Sequence, residues 1–111
     1  MDARYLHPVL ATFMRSLPRT YEHVDAAEGT EVEVQIQGEA GGAWHIRLES
    51  GSWVLREGTS SEPTARAHLR AEDAWRLFTK ALTPAEAQRA VEVEGNEDLA
   101  GVLRHAVAII A

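Results

Sequence analysis

From Thr30 to Gln37 the chain alternates without a break: Val32, Val34 and Ile36 are apolar, while Glu31, Glu33, Gln35 and Gln37 are acidic or amide side chains. Successive side chains of a strand point to opposite faces, so this stretch predicts a strand with one face in a core and the other in water. Such a strand needs hydrogen-bonded neighbours and a layer over its apolar face, which rules out a purely helical bundle. After the turn residues Gly38, Gly41 and Gly42, the pattern resumes with Trp44, Ile46 and Leu48 against His45, Arg47 and Glu49, a second strand antiparallel to the first. Glu49-Ser50-Gly51-Ser52 reads as a tight turn into a third strand, Trp53-Val54-Leu55-Arg56. Beyond the loop Gly58–Pro63, the stretch Thr64–Arg70 sets Ala65, Ala67 and Leu69 against Arg66, His68 and Arg70. These small inward residues of a fourth strand either admit a helix closely or leave space.

The rest of the chain has a helical period. Leu6, Val9, Leu10, Phe13, Met14 and Leu17 share one face of a helix expected over residues 8–17, with Pro8 in its first turn and Pro18 as its stop. Residues 71–82 place Ala74, Trp75, Leu77, Phe78, Ala81 and Leu82 on an apolar face, with Glu72 and Asp73 in the first turn. Thr83-Pro84-Ala85-Glu86 is a capping box for a short following helix. Val91 and Val93 alternate with Glu92 and Glu94 as a fifth strand, ended by Gly95. Asn96 then caps a last helix with the stripe Leu99, Val102, Leu103, Ala106, Val107 and Ile110. The expected fold is α+β, in the order α-β-β-β-β-α-α-β-α: a five-stranded, mainly antiparallel sheet with helices packed on one face. Its 111 residues suit a single domain, 1–111.

Composition removes several function classes. There is no cysteine, which excludes disulfides, thiolate metal sites and a cysteine nucleophile. The N-terminal stretch is interrupted by Asp2, Arg4, His7 and Arg15, so neither a signal peptide nor a membrane span is expected, and the expected location is the cytoplasm. The net charge is −6, and the eleven basic residues, all arginine except Lys80, are scattered singly, which argues against a nucleic-acid partner.

The search for chemistry yields little. His7, His23, His45, His68 and His105 lack the spacing from which metal sites are assembled, so no metal or other cofactor is expected. His45 and His68 lie on the polar sides of their strands, where they could approach across the sheet. The pairs Glu31/Glu33 and Glu92/Glu94 read as solvent-face carboxylates able to pair with Arg47, Arg66 or Arg70, rather than as acid/base catalysts. The serines have no nucleophile elbow. What stands out is an aromatic set, Phe13, Trp44, Trp53, Trp75 and Phe78, converging on the junction of helices and sheet. It reads either as plain core or as the lining of a cavity for a hydrophobic ligand, with Phe13, Trp44, Trp75 and Phe78 as the candidate ligand-binding residues.

Leu17-Pro18-Arg19-Thr20-Tyr21, Gly41-Gly42-Ala43-Trp44, Ala74-Trp75-Arg76-Leu77 and Glu94-Gly95-Asn96 before Leu99-Ala100, in that order and spacing, resemble the C-terminal domain of the mycothiol-dependent maleylpyruvate isomerase family. The resemblance runs over nearly the whole chain and implies a sterol-carrier-like fold, which agrees with the element order above. It also implies that metal and thiol chemistry belong to a separate helical domain of the DinB type, and that this chain starts at the connection between the two. On that footing the chain is a free-standing relative or the tail of a longer protein, without catalytic residues of its own. Gly95-Asn96 stands where that family commonly has Gly-Asp, keeping a helix cap and losing a charge.

Three functions follow as expectations. The first is a non-catalytic sterol-carrier-like module holding a hydrophobic small molecule between sheet and helices. The second is an accessory domain for a DinB-like partner, and the third a homodimer pairing through a strand edge or apolar patch.

Overall fold

Five strands form one sheet in the order β3-β2-β1-β4-β5. The computed structural model describes residues 3–79 and 82–105, with the side chains of residues 3–6, 78 and 105 outside that description. Along the chain the elements are α1 (Ala3–Met14), α2 (Leu17–Thr20), β1 (Glu31–Gln37), β2 (Gly42–Glu49), β3 (Ser52–Glu57) and β4 (Ala65–Arg70). They continue with α3 (Ala71–Phe78), α4 (Pro84–Ala90), β5 (Glu92–Gly95), α5 (Glu97–Gly101) and a closing 3₁₀ turn, Val102–His105.

The meander β1-β2-β3 is antiparallel, as the alternation predicts, with Val34 opposite Trp44 and Ile46 opposite Leu55. Ser50 and Gly51 have φ of 51° and 82°, the two left-handed central residues that a two-residue hairpin turn requires. Strand β4 then returns to the far side of β1 and runs parallel to it, Val32 beside Ala65 and Ile36 beside Leu69. β5 closes that edge antiparallel, so the sheet is mixed and mainly antiparallel. Parallel neighbours usually need a crossover of a dozen or more residues. Here the β3–β4 connection is the loop 58–64 alone, and it crosses the outer face of the sheet.

The helices cover the other face. Val32, Val34, Trp44, Ile46, Ala65 and Ala67 point into a core that also contains Leu10, Phe13, Met14, Leu17, Leu99 and Leu103. Ala65 and Ala67 resolve the question of small inward residues: both are buried, and α5 packs on β4 there. Tyr21, fully buried, places its ring 5.5 Å from that of Trp53 and donates its Oη–H to Leu99 O at 2.8 Å.

Several element ends differ from the periodicity-based expectation. α1 begins five residues earlier than residue 8 and contains Pro8. It closes at Met14 because Ser16 returns both its N–H and its Oγ–H to Phe13 O. Pro18 therefore sits in the first turn of α2, where its fixed φ suits a helix start, instead of stopping α1. α3 ends at Phe78, where Thr79 Oγ1 and N both bond Trp75 O. The Thr83–Glu86 capping box forms in full, and Asn96 Oδ1 accepts from Leu99 N. The last apolar stripe starts as α5 and tightens to a 3₁₀ turn, and its members Ala106, Val107 and Ile110 lie outside the described residues.

Candidate functional site

The aromatic set divides into pairs. Phe13 on α1 and Trp75 on α3 meet with ring centroids 5.7 Å apart, Phe13 fully buried and Trp75 half-buried. Trp44 on β2 stacks on His7 of α1 at 5.9 Å. The side chain of Phe78 lies outside the described residues. The structure thus brings Phe13 and Trp75 together, gives Trp44 a histidine neighbour, and uses Trp53 against Tyr21. His7 also fastens α1 to the β1–β2 hairpin: its Nδ1 lies 3.0 Å from Ala40 O and 3.1 Å from Gly41 O. Carbonyls only accept, so Nδ1 carries the proton. Gly41 is obligatory there, because a Cβ would fall 1.9 Å from Ile36 O.

Hollows open at more than one place on the described residues. One, of about 220 Å³, lies between the end of α3, the start of α4 and the closing 3₁₀ turn, and is lined by Leu77, Leu82, Thr83, Pro84, Ala87, Gln88 and Arg104. Another, of about 330 Å³, lies by the loop after α2 and is bordered by Val24, Thr30, Asp98 and Leu99 among others. Neither is lined by Phe13, Trp44 or Trp75. Arg104, which sequence patterning did not single out, is the one charged residue that lines the first hollow among the described residues.

The outer face of the sheet is polar, but not uniformly wet. Glu33, expected on the solvent face, is fully buried, because the β3–β4 loop lies over it. Its carboxylate accepts Ser60 N–H at 2.6 Å, the Gln35 amide at 2.6 Å and Arg66 Nε–H at 2.7 Å. Burial alone would raise its pKa, but these three donors and the Arg66 charge outweigh it and hold the group below the usual carboxylate range. Glu31 accepts Ser60 Oγ–H at 2.5 Å, and His45 Nδ1 reaches Gly58 O at 2.9 Å. His45 lies opposite Glu33 and His68 opposite Gln35, so the two histidines stand two strand spacings apart and two residues out of register, roughly 12 Å. They do not approach each other. His68 Nε2 pairs instead with Glu94 at 3.0 Å, which helps hold that carboxyl below its ordinary range.

Among the described residues no three His, Asp or Glu side chains group as metal ligands would, and no helix is long and apolar enough to cross a membrane. The residues quoted above for the family resemblance have evident structural tasks: Leu17 and Tyr21 are fully buried, Gly41 admits no side chain, and Gly95 has φ +78° with Thr64 O 2.7 Å from where a Cβ would stand.

No protein-family model matches the chain, and no curated protein matches its sequence. Solved structures do. The crystal structure of Sterol Carrier Protein 2 Like 2 from Aedes aegypti superposes with a TM-score of 0.68 over 96% of this chain and 100% of that one, at 19% identity. The palmitated form of the same protein in solution matches at 0.63 over 85% and 89%, with 22% identity. A domain of the inverting sec-alkylsulfatase Pisa1 from Pseudomonas sp. matches at 0.51, over 83% of this chain but only 14% of the sulfatase, at 14% identity. The chain therefore has the sterol-carrier fold, as the resemblance implied and in agreement with the expected element order. That fold occurs both as a free-standing protein and as a small part of an enzyme.

Proposed function

We propose that this domain is a non-catalytic module that binds a hydrophobic small molecule between its helices and its sheet. The observation that carries the reading is the match, over most of both chains, to a sterol-carrier structure solved with palmitate. The half-buried Trp75, its ring tilted against that of Phe13 where α1 meets α3, supports it by offering an apolar surface at the helix layer. Phe13, Trp44, Trp75 and Phe78 are the proposed contacts. Palmitate added to the purified protein should change tryptophan emission saturably, and native mass spectrometry should show one bound molecule. Trp75→Ala should weaken that binding about tenfold, the loss expected when a large aromatic contact is truncated. No saturable change and no bound mass would overturn the reading.

A second reading has its own support. The fold forms part of a larger enzyme chain in the alkylsulfatase, and the resemblance to the maleylpyruvate isomerase C-terminal domain points the same way, toward an accessory role beside a cytoplasmic DinB-like partner. Recovery of a DinB-like protein with this domain, without bound lipid, would favour that role. A concentration-dependent dimer by light scattering would favour self-association.

A further inference from the structure

We infer that β3, at one edge of the sheet, pairs antiparallel with β3 of a second copy of this chain about a two-fold axis through Val54, joining two five-stranded sheets into one. The inference rests on the self-association reading above and deepens it by naming the surface and the register. It does not depend on a bound small molecule.

The two edges of the sheet are built differently. β5 has four residues, with Glu92 and Glu94 exposed and Gly95 at φ +78°, the short and charged kind of edge that resists pairing. β3 has six residues and no proline, and Val54 and Leu55 in its middle are apolar and half-buried. Gly58 N–H donates to Ala43 O at 2.8 Å, which marks Ala43 and Gly58 as a hydrogen-bonded pair of the β2–β3 ladder. Such pairs alternate, so Arg56 bonds with His45, Val54 with Arg47 and Ser52 with Glu49. Trp53, Leu55 and Glu57 therefore turn their N–H and C=O groups outward, where they meet no partner among the described residues.

The side chains select both the occupant and the register. A two-fold axis perpendicular to the sheet keeps the two helix layers on one side and sets outward-turned residues against outward-turned ones, so the axis must pass through a residue. With the axis at Val54, that residue meets its own copy as a close, non-hydrogen-bonded pair, while Trp53 and Leu55 exchange hydrogen bonds across the seam. Arg56 then comes opposite Ser52 of the second copy, whose neighbour on β2 is Glu49. Glu49 is already the ion-pair partner of Arg56 within each copy, so the two pairs lie side by side with opposite charges adjacent. Moving the axis to Leu55 sets Val54 against Arg56 and Trp53 against Glu57, and moving it to Arg56 sets that charge against itself. An axis at Trp53 wastes Leu55 on the turn residue Gly51. Only the axis at Val54 matches apolar with apolar and charge with opposite charge.

The test is sedimentation equilibrium of the full chain and of Val54→Lys and Val54→Glu, across micromolar to millimolar concentrations. The unaltered protein should dimerise. Either variant alone places like charges at the axis and should raise the dissociation constant about a hundredfold, whereas an equimolar mixture of the two should restore the dimer, because this axis brings position 54 against itself. Should either variant unfold, Val54→Cys decides. The chain has no other cysteine, and mild oxidation should cross-link Val54→Cys but not Arg56→Cys, whose two copies stand far apart in this register. Dimers that persist in both charged variants, a mixture that stays monomeric, or a Val54→Cys protein that does not cross-link overturns the interface and leaves self-association through another surface standing. An unaltered protein that stays monomeric throughout overturns the self-association reading itself.

Discussion

The two faces of the sheet bury side chains for different reasons. On the inner face, Val32, Val34, Ile46 and Ala67 are shut away because helices cover an apolar surface, and each adds transfer free energy on its own. On the outer face Glu33 is equally inaccessible, yet it is a carboxylate. It is buried because a seven-residue connection between β3 and β4 must cross the sheet directly over it. A loop lying on a sheet face needs partners for its own polar groups, and Glu33 and Glu31 supply them to Ser60. Inner-face burial drives folding, while outer-face burial is a consequence of topology that three hydrogen bonds make tolerable.

The comparison can be broken by substitution. The largest effect is expected on the inner face. Ile46→Ala should destabilise the domain by about 2–5 kcal/mol through lost burial and the cavity left between sheet and helices, measured by urea denaturation. Glu33→Ala should cost less, about 1–3 kcal/mol, because it orphans Ser60 N–H, while Arg66, with 31% of its side chain exposed, regains water. A cost for Glu33→Ala equal to that of Ile46→Ala would mean that the crossover is as decisive as the core. Amide exchange should separate them further, with Glu33→Ala speeding exchange at Ser60 more than in β2.

The smallest effect is a dependence on pH. Glu33 is held below its ordinary pKa in the folded protein, so its contribution is fully present above the unfolded carboxylate value, about 4.3, and is lost as pH falls through the lower folded value. Glu33→Gln should therefore flatten the acid limb of the stability curve. It should not abolish it, since Glu49, Glu86 and Glu94 are also depressed, by Arg56, by Thr83 and by His68 in turn. An unchanged acid limb would show that the loop is not held by ionised Glu33.

Much of this was readable in advance, because it depends on neighbours in the chain. Val32, Val34 and Ile36 announced β1, Thr83 and Glu86 announced the start of α4, and Asn96 announced α5, since strand alternation and helix caps are local rules. The candidate site was readable only in part. Phe13 and Trp75 do meet, but Trp44 turned to His7, a residue whose lone position in the sequence carried no signal for that contact. Arg104 was one arginine among ten, and nothing around it in sequence marks its Nε as the buried side-chain group left without a hydrogen bond among the described residues.

The sequence by itself determined the strands, most of the helices, the caps at Thr83 and Asn96 and the apolar side of each element, because hydrophobic period and backbone capping act within a few residues. Only the tertiary structure decided that β4 lies parallel beside β1, that the short loop 58–64 crosses the outer face, that Glu33 is therefore buried with Arg66, and that Arg104 faces a hollow formed by α3 and α4. Those outcomes depend on which distant segments become neighbours. Alternation tells a side chain which face it takes, and only the completed packing tells it what covers that face.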